Sequence, residues 1–257
     1  MHTKEEYIGV FDSGVGGISV LRELVKLMPQ ERYLYFGDSA NAPYGAKTTE
    51  QVRALTIAAA EKLMARGIKA LVVACNTATA AAINDLRQMY PDTVIIGIEP
   101  AVKVAADLCA EGHIGVMATP VTLREEKFQQ LLAHFSDVQI SLISAPELVA
   151  LIEAGADDMA LEAYLQPILQ EFAGKLDAVV LGCTHYPFAA RTIGKLLGPG
   201  TRIVDGGAGT ARETRRRLEE AGLLYDGPGQ LLMENSSRDP AFVDRSMALF
   251  REKINAI

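Results

Sequence analysis

Short apolar runs, mostly of β-branched residues, alternate along the chain with longer stretches in which apolar residues recur at helical spacing. Several runs are apolar without interruption, as expected of parallel strands buried on both faces. Strands are predicted at Tyr7–Phe11, Arg32–Gly37, Ala70–Ala74, Val94–Ile98, Ile114–Met117, Gln139–Ser144, Ala178–Leu181 and Arg202–Val204.

The intervening segments carry the helical pattern. Helices are predicted at Ile18–Met28, Glu50–Arg66, Ala78–Met89, Leu123–Phe135, Leu161–Phe172 and Arg212–Ala221, with a last one near Ala241–Ile254 after a Gly/Pro break at Asp226–Gly229. Strands that alternate with helices in this way predict an α/β fold of mainly parallel sheets flanked by helices.

One unit of the pattern occurs twice. Ala70–Thr77 and Ala178–His185 each consist of an apolar run, a cysteine and polar residues, and the second follows the first by 108 residues. Upstream, Ile114–Thr119 repeats the pattern of Ile8–Ser13 at an offset of 106. We infer two similar domains related by a pseudo-twofold axis, with the active site between them. The first comprises 1–98 with 206–257 and carries Cys75; the second comprises 99–205 and carries Cys183.

Polar residues cluster where the predicted strands end, which is where open parallel sheets bind ligands. Cys75 precedes a helix expected to start near Thr77, and Cys183 precedes a helix expected to open at Pro187. A cysteine before a helix N-terminus is favoured as a thiolate, although a single cysteine is as readily a small buried apolar residue. The matched pair favours chemistry, with one thiol on each side of a substrate, whereas Cys109 is expected to serve packing. The strand-end residues are Asp12-Ser13, Asp38-Ser39, Cys75-Asn76-Thr77, Thr119 and Cys183-Thr184-His185.

The polar neighbours of the cysteines admit two interpretations. Ser13, Asn76, Thr77, Thr119 and Thr184 could bind a carboxylate together with helix N–H groups, or they could simply cap helices. Asp12 and His185 could tune the thiols. The glycine run that follows Asp12 resembles a dinucleotide loop, but Ser19 replaces its third glycine, so close approach of the backbone to a small ligand fits better. Pro43-Tyr44-Gly45 is predicted as a turn that could supply N–H donors.

Composition narrows the functional classes. The net charge of −7 argues against nucleic acid as a partner. No segment approaches the roughly 20 apolar residues of a membrane span. Three widely spaced cysteines do not form a disulfide framework, and they fit a reducing cytoplasm. No metal-ligand spacing is present in the sequence, so no metal is expected.

Four motifs together resemble the glutamate racemases of the aspartate/glutamate racemase superfamily: Asp12–Gly17, Pro43–Gly45, Ala74–Thr79 and Gly182–Pro187. The resemblance implies cofactor-independent interconversion of L- and D-glutamate, with the D-form feeding peptidoglycan synthesis. It implies that Cys75 takes the proton from D-glutamate and Cys183 from L-glutamate, on opposite faces of Cα. It also implies a homodimer.

The resemblance also assigns roles to the residues around the cysteines. Asp12 and His185 would assist Cys75 and Cys183, and Asp38 and Glu153 would be the remaining carboxylates near the site. Substrate would contact Asp12, Ser13, Pro43, Tyr44, Gly45, Asn76, Thr77, Thr119, Thr184 and His185. Pro120 and Leu123 depart from the family pattern after Thr119. Two alternatives remain open: a racemase of aspartate or another amino acid, and a non-catalytic two-domain module that binds a small molecule.

Overall fold

The computed structural model describes residues 2–99, 101–109, 112–124, 126–135 and 137–251. These residues group into two compact units, one formed by 2–99 with 207–251 and the other by the described part of 101–206. Each unit is a parallel sheet flanked by helices, which confirms the predicted fold class.

The first unit contains a five-stranded sheet. Its strands run in the order β4-β3-β1-β2-β9, and every recorded pairing is parallel. The strands are β1 (Tyr7–Asp12), β2 (Arg32–Gly37), β3 (Ile68–Val73), β4 (Val94–Gly97) and β9 (Gln230–Asn235). Its helices are α1 (Ile18–Leu27), α2 (Thr49–Met64), α3 (Asn76–Met89), α10 (Gly207–Glu220) and α11 (Ala241–Arg251).

The second unit contains a four-stranded parallel sheet in the order β6-β5-β7-β8. The strands are β5 (His113–Ala118), β6 (Gln139–Ser144), β7 (Ala178–Leu181) and β8 (Arg202–Asp205). Its helices are α4 (Val102–Leu108), α5 (Pro120–Arg124), α6 (Glu126–Ala133), α7 (Leu148–Glu153), α8 (Asp158–Leu169) and α9 (Ala190–Leu197). Apolar clusters cover this sheet, one built with α7–α9 and one with α4 and α6.

The two sheets repeat one topology. The strand order β4-β3-β1-β2 of the first unit corresponds to β8-β7-β5-β6 of the second. The register is also the same, since Ile8 lies opposite Ala70 and Ile114 lies opposite Ala178. A Cβ on Gly9 would come within 2.7 Å of Ile68, and one on the equivalent Gly115 within 2.7 Å of Leu176. The structure therefore confirms the similarity of the two halves at the level of individual contacts.

Several elements differ from the sequence-based expectation. Strand β9 and helices α4 and α7 were not predicted, because each is short and β9 is an edge strand with no fully buried residue. The single helix expected at Leu123–Phe135 is wrong at its start, since helix already begins at Pro120, whose fixed φ suits a first turn. The structure has two helices there, α5 and α6. The last helix is expected to reach Ile254, and its residues 252–254 lie outside the described residues. No described helix has the length and apolar character needed to cross a membrane.

Candidate functional site

The carboxyl edge of the first sheet carries one group of predicted residues. Strands β3, β1 and β2 are adjacent, so the residues that follow them lie side by side. Backbone hydrogen bonds continue the pairing beyond the strands, from Asp38 N to Asp12 O at 2.9 Å and from Ala74 N to Phe11 O at 2.8 Å. The sheet therefore brings Asp12, Asp38 and Cys75 to the same edge.

Cys75 caps helix α3. Its Sγ accepts a hydrogen bond from Ala78 N at 3.5 Å, and the thiol donates to Ser13 Oγ at 3.5 Å. The residue is only 5% exposed. A helix N-terminus favours negative charge on its cap, so this position supports a thiolate.

Asp12 is fully buried, and its Oδ2 accepts a hydrogen bond from Gly14 N at 3.0 Å. A Cβ on Gly17 would lie 2.5 Å from the Asp12 Cβ, so the absence of a side chain at position 17 allows α1 to begin directly against Asp12. We expected the glycine run to bring backbone close to a ligand. The close approach that the structure shows at Gly17 is to Asp12 and Ala74.

Asp38 holds Tyr44. The Tyr44 hydroxyl donates to Asp38 Oδ2 at 2.7 Å, and Asn41 Nδ2 donates to both carboxylate oxygens at 3.1 Å. Burial, then the Asp38 carboxylate, and then the charges of Cys75 and Asp12 raise the pKa of Tyr44 far above its usual value. The phenol therefore stays protonated and remains a hydrogen-bond donor.

Pro43 and Gly45 flank Tyr44 in the chain. Pro43 is exposed and follows a cis Ala42–Pro43 peptide bond, while Gly45 lies in a three-residue 3₁₀ helix, Tyr44–Ala46. Asp38 therefore fixes, through Tyr44, the segment that carries all three predicted substrate contacts.

Asn76 and Thr77 are the first residues of α3, and both are buried. The side-chain oxygen of Asn76 is buried and has no hydrogen-bond partner among the described residues. An unpaired buried acceptor is costly, so a ligand that carries an N–H group would stabilise it.

The second unit places its predicted residues at the ends of the adjacent strands β5 and β7. Thr119 follows β5, and its Oγ1 lies 3.0 Å from Thr122 Oγ1 and accepts a hydrogen bond from Thr122 N at 3.4 Å. Thr119 thus makes a contact of the capping kind at the start of α5. Thr122 is buried as well. It was not among the predicted site residues, although its spacing of three residues from Thr119 was the signal.

Cys183 is only 8% exposed and faces a histidine backed by a carboxylate. Its Sγ lies 3.9 Å from His185 Nδ1, and His185 Nε2 lies 2.9 Å from Glu153 Oε1 at the end of α7. The helix that Pro187 was expected to open is a four-residue 3₁₀ helix, Tyr186–Ala189, capped by His185 rather than by Cys183. Cys183 is therefore not itself a helix cap.

Thr184 and Tyr186 lie close to Cys183 in the chain, and Cys109 packs elsewhere in the second unit. Thr184 is buried beside Cys183. Tyr186, which belongs to the motif Gly182–Pro187 but has no assigned role there, is buried and donates to Ala145 O at 3.0 Å. Burial and then the Cys183 charge raise its pKa. Cys109 packs in the apolar cluster with α4, and burial raises the pKa of its thiol.

The structure thus gathers the predicted residues into one group in each unit, which we call the Cys75 group and the Cys183 group. The Cys75 group comprises Asp12, Ser13, Asp38, Pro43, Tyr44, Gly45, Cys75, Asn76 and Thr77. The Cys183 group comprises Thr119, Glu153, Cys183, Thr184 and His185. Within the described residues no group of three or more histidine, cysteine, aspartate or glutamate side chains could hold a metal ion.

Known proteins resemble this chain along nearly its whole length. A glutamate racemase of Clostridium botulinum (strain Alaska E43 / Type E3) is 47% identical over 255 residues, covering 97% of this chain and 98% of that protein. The crystal structure of glutamate racemase from Thermus thermophilus in complex with β-chloro-D-alanine matches with a TM-score of 0.84 at 36% identity, covering 99% of this chain and 96% of that one. The Escherichia coli glutamate racemase in complex with L-glutamate and the activator UDP-MurNAc-Ala matches with a TM-score of 0.83 at 32% identity, covering 95% and 94%.

The family assignment rests on more than overall similarity. The family model of Asp/Glu/Hydantoin racemases matches residues 8–214, a range that begins in β1 and ends in α10. That range includes both cysteines and every residue of the two groups. With 47% identity to a relative over nearly its full length, the chain belongs to the Asp/Glu/Hydantoin racemase family.

Proposed function

We propose that the chain racemises glutamate, with Cys75 and Cys183 as its two catalytic bases. One observation carries this proposal: two buried thiols follow equivalent strands of two similar sheets, each beside groups that favour a thiolate. The glutamate racemases that resemble the chain over nearly its full length support glutamate as the substrate.

The proposed reaction moves one proton off Cα and another onto it. The thiolate of one cysteine takes the Cα proton, and the C–H electron pair stays on carbon as a carbanion. The protonated thiol of the other cysteine then donates its proton to the opposite face, which leaves inverted glutamate and an exchanged pair of protonation states. We assign Cys183 to L-glutamate and Cys75 to D-glutamate.

The carbanion must be stabilised strongly, because a Cα–H bond is a far weaker acid than a thiol. We propose that hydroxyl and amide donors around the substrate carboxylates supply this stabilisation in a site closed to water. Ser13, Thr77, Thr119 and Thr184 are the proposed hydroxyl donors. Asn76 Oδ1, the buried acceptor, would bind the substrate ammonium.

The remaining groups act on the thiols and on the position of the substrate. His185, held by Glu153, would exchange protons with Cys183 and stabilise its thiolate. Asp12, which is fully buried at the end of β1, would do the same for Cys75. The Pro43-Tyr44-Gly45 segment, fixed through Asp38, would contact the substrate with its backbone.

We further propose that the enzyme works as a homodimer in the cytoplasm and supplies D-glutamate for peptidoglycan synthesis. None of its three cysteines forms a disulfide, which fits a reducing compartment.

The test is proton exchange in heavy water without added cofactor. The protein would receive L-glutamate, D-glutamate, L-aspartate or D-aspartate, and NMR and chiral chromatography would follow Cα deuteration and inversion. A Cys75→Ala/Cys183→Ala variant is the control for contaminating racemase. We expect inversion with deuteration of glutamate alone, absent from the control. Inversion of aspartate instead would keep the mechanism and change the substrate, and no exchange with any amino acid would favour a binding module.

A further inference from the structure

We propose that Asn235 and Ser236, at the end of the edge strand β9, are positioning residues for the racemase reaction. They hold the segment 38–45, which carries Tyr44 and Gly45, in place from the side remote from β1. This inference rests on the proposed function, because it concerns the binding of the same substrate.

The segment 38–45 has a single apolar anchor, Tyr44, which packs against Phe11 in the core cluster of the first unit. Within it, only Asp38 and Tyr44 are buried, whereas Ala40 and Pro43 are exposed. Apart from Tyr44, the position of the segment therefore depends on polar contacts. On the inner side these are the hydrogen bonds of Asp38 to Asn41 and Tyr44.

On the outer side the contacts come from β9. Asn235 Nδ2 donates to Ser39 Oγ at 2.9 Å, and Ser236 Oγ accepts a hydrogen bond from Ala40 N at 3.0 Å. Both residues thus bind the 3₁₀ helix, Ser39–Asn41, which lies between Asp38 and the Pro43-Tyr44-Gly45 turn.

The two contacting residues are themselves held rigidly. Asn235 lies opposite Gly37 in the parallel pairing of β9 with β2, and Ser236 N donates to Gly37 O at 2.9 Å. Ser237 N donates to Asn235 Oδ1 at 2.8 Å, which orients the amide so that its nitrogen faces Ser39. Gly37 makes room for this, because a Cβ there would lie 2.9 Å from Asn235 Nδ2 and 2.5 Å from Gly14 O.

A chain of contacts therefore runs from β9 to the substrate-binding turn through Ser39, Ala40, Asp38 and Tyr44. If this chain is broken, Tyr44 and Gly45 sample more positions, and substrate must order them on binding. The loss appears as a higher KM, while the two thiols and their protonation are unchanged.

The test compares four variants in steady-state racemisation of both glutamate enantiomers. We expect Asn235→Ala, which removes the amide that donates to Ser39, and Ser236→Ala each to raise KM about 5-fold with kcat changed less than about 2-fold. Ser236→Thr, which keeps a hydroxyl, should restore KM. Ser237→Ala is the matched control, because its hydroxyl accepts from Asp239 N at 3.2 Å and does not contact the segment.

The outcomes are separable. Unchanged KM in Asn235→Ala and Ser236→Ala, or no restoration by Ser236→Thr, would overturn the inference. A lower melting temperature with normal KM would show a structural role alone and would also overturn it. Absence of racemisation by the wild-type protein would instead overturn the proposed function.

Discussion

Cys75 and Cys183 follow equivalent strands in the same register, yet different groups surround them. Cys75 caps the 14-residue helix α3 and contacts the hydroxyl of Ser13. Cys183 precedes a four-residue 3₁₀ helix and faces a histidine that a carboxylate holds in place. The two halves thus share the sheet that places the thiol and differ in the groups that lie beside it. In the proposed mechanism a helix N-terminus and a hydroxyl would stabilise the Cys75 thiolate, and an imidazole would stabilise that of Cys183.

The largest expected effect tests whether both thiols are needed. Cys75→Ala and Cys183→Ala should each lower kcat/KM about 10⁴-fold, because each removes one proton-transfer group. Glutamate enantiomers have equal free energies, so kcat/KM must fall equally in both directions. Chiral chromatography of the product measures this fall. Racemisation within 10-fold of wild type in either variant would contradict the two-base proposal.

In the same two variants, single-enantiomer exchange assigns each thiol to a face. We expect residual deuterium uptake by L-glutamate in Cys75→Ala and by D-glutamate in Cys183→Ala, since the remaining base still reaches its own substrate. NMR of the recovered amino acid in heavy water is the measurement. The reverse pattern would exchange the assignments while leaving the mechanism intact.

The amino ends of β3 and β7, the strands that precede Cys75 and Cys183, differ even more strongly. Near the start of β3, Lys69 is fully buried and donates to Glu31 at 2.7 Å and to the carbonyl oxygens of Lys4 and Leu223. The equivalent residue of the second unit is the exposed Asp177, which accepts from His113 N at 2.8 Å. One position holds a buried ion pair and the other an exposed hydrogen bond.

This difference predicts unequal stability effects. Lys69→Met should lower the free energy of unfolding by about 4 kcal/mol, because it leaves the Glu31 carboxylate buried without its cation. Asp177→Asn should cost about 1 kcal/mol or less, since water replaces the lost interaction. Urea unfolding followed by circular dichroism measures both.

A double variant serves as the control for that measurement. Lys69→Met/Glu31→Leu should regain much of the lost stability, because no charge then stays buried alone. If Lys69→Met is as stable as the wild type, the ion pair contributes nothing to the first unit.

The imidazole on the Cys183 side predicts the next effect in size. His185→Gln should lower kcat/KM about 100-fold, because it removes the group facing Sγ. Glu153→Gln should lower it about 10-fold, since the ring stays in place but loses its charged partner. His113→Gln is the matched control, because that ring contacts Ser141 Oγ at the other end of β5. Equal losses in His185→Gln and His113→Gln would show a structural effect only.

The isotope effect in His185→Gln distinguishes the two thiols. We expect the effect of Cα deuteration to rise for L-glutamate more than for D-glutamate, because proton removal by Cys183 becomes the slower step. An equal rise for both enantiomers would mean that His185 acts on the whole site rather than on Cys183.

Local sequence signals account for the sheets and for both cysteines. Apolar runs that end in polar residues predicted β1, β3, β5 and β7, because parallel strands buried on both faces consist of nearly continuous apolar residues. The apolar pattern does not predict the edge strand β9, because its apolar run, Leu231–Met233, is short and only partly buried. Asn235 and Ser236 were not predicted either. Their contacts with Ser39 and Ala40 span nearly 200 residues of sequence. A single sequence carries no local trace of such a pairing.

The smallest effect concerns the hydroxyl on the Cys75 side. The Cys75 thiol donates to Ser13 Oγ, and in the thiolate form the rotated hydroxyl would donate to sulfur, a stronger, charge-assisted bond. Ser13→Ala should therefore raise the pKa of Cys75 and lower kcat/KM about 5-fold. The pH dependence of iodoacetamide alkylation in a Cys109→Ala/Cys183→Ala background isolates this thiol. Ser246→Ala, which removes a buried hydroxyl in α11 that donates to Phe242 O, is the control. An unshifted alkylation profile would mean that Ser13 does not affect the Cys75 thiolate and that the N-terminus of α3 alone stabilises it. The two units would then differ more clearly, with a helix N-terminus beside one thiol and an imidazole beside the other.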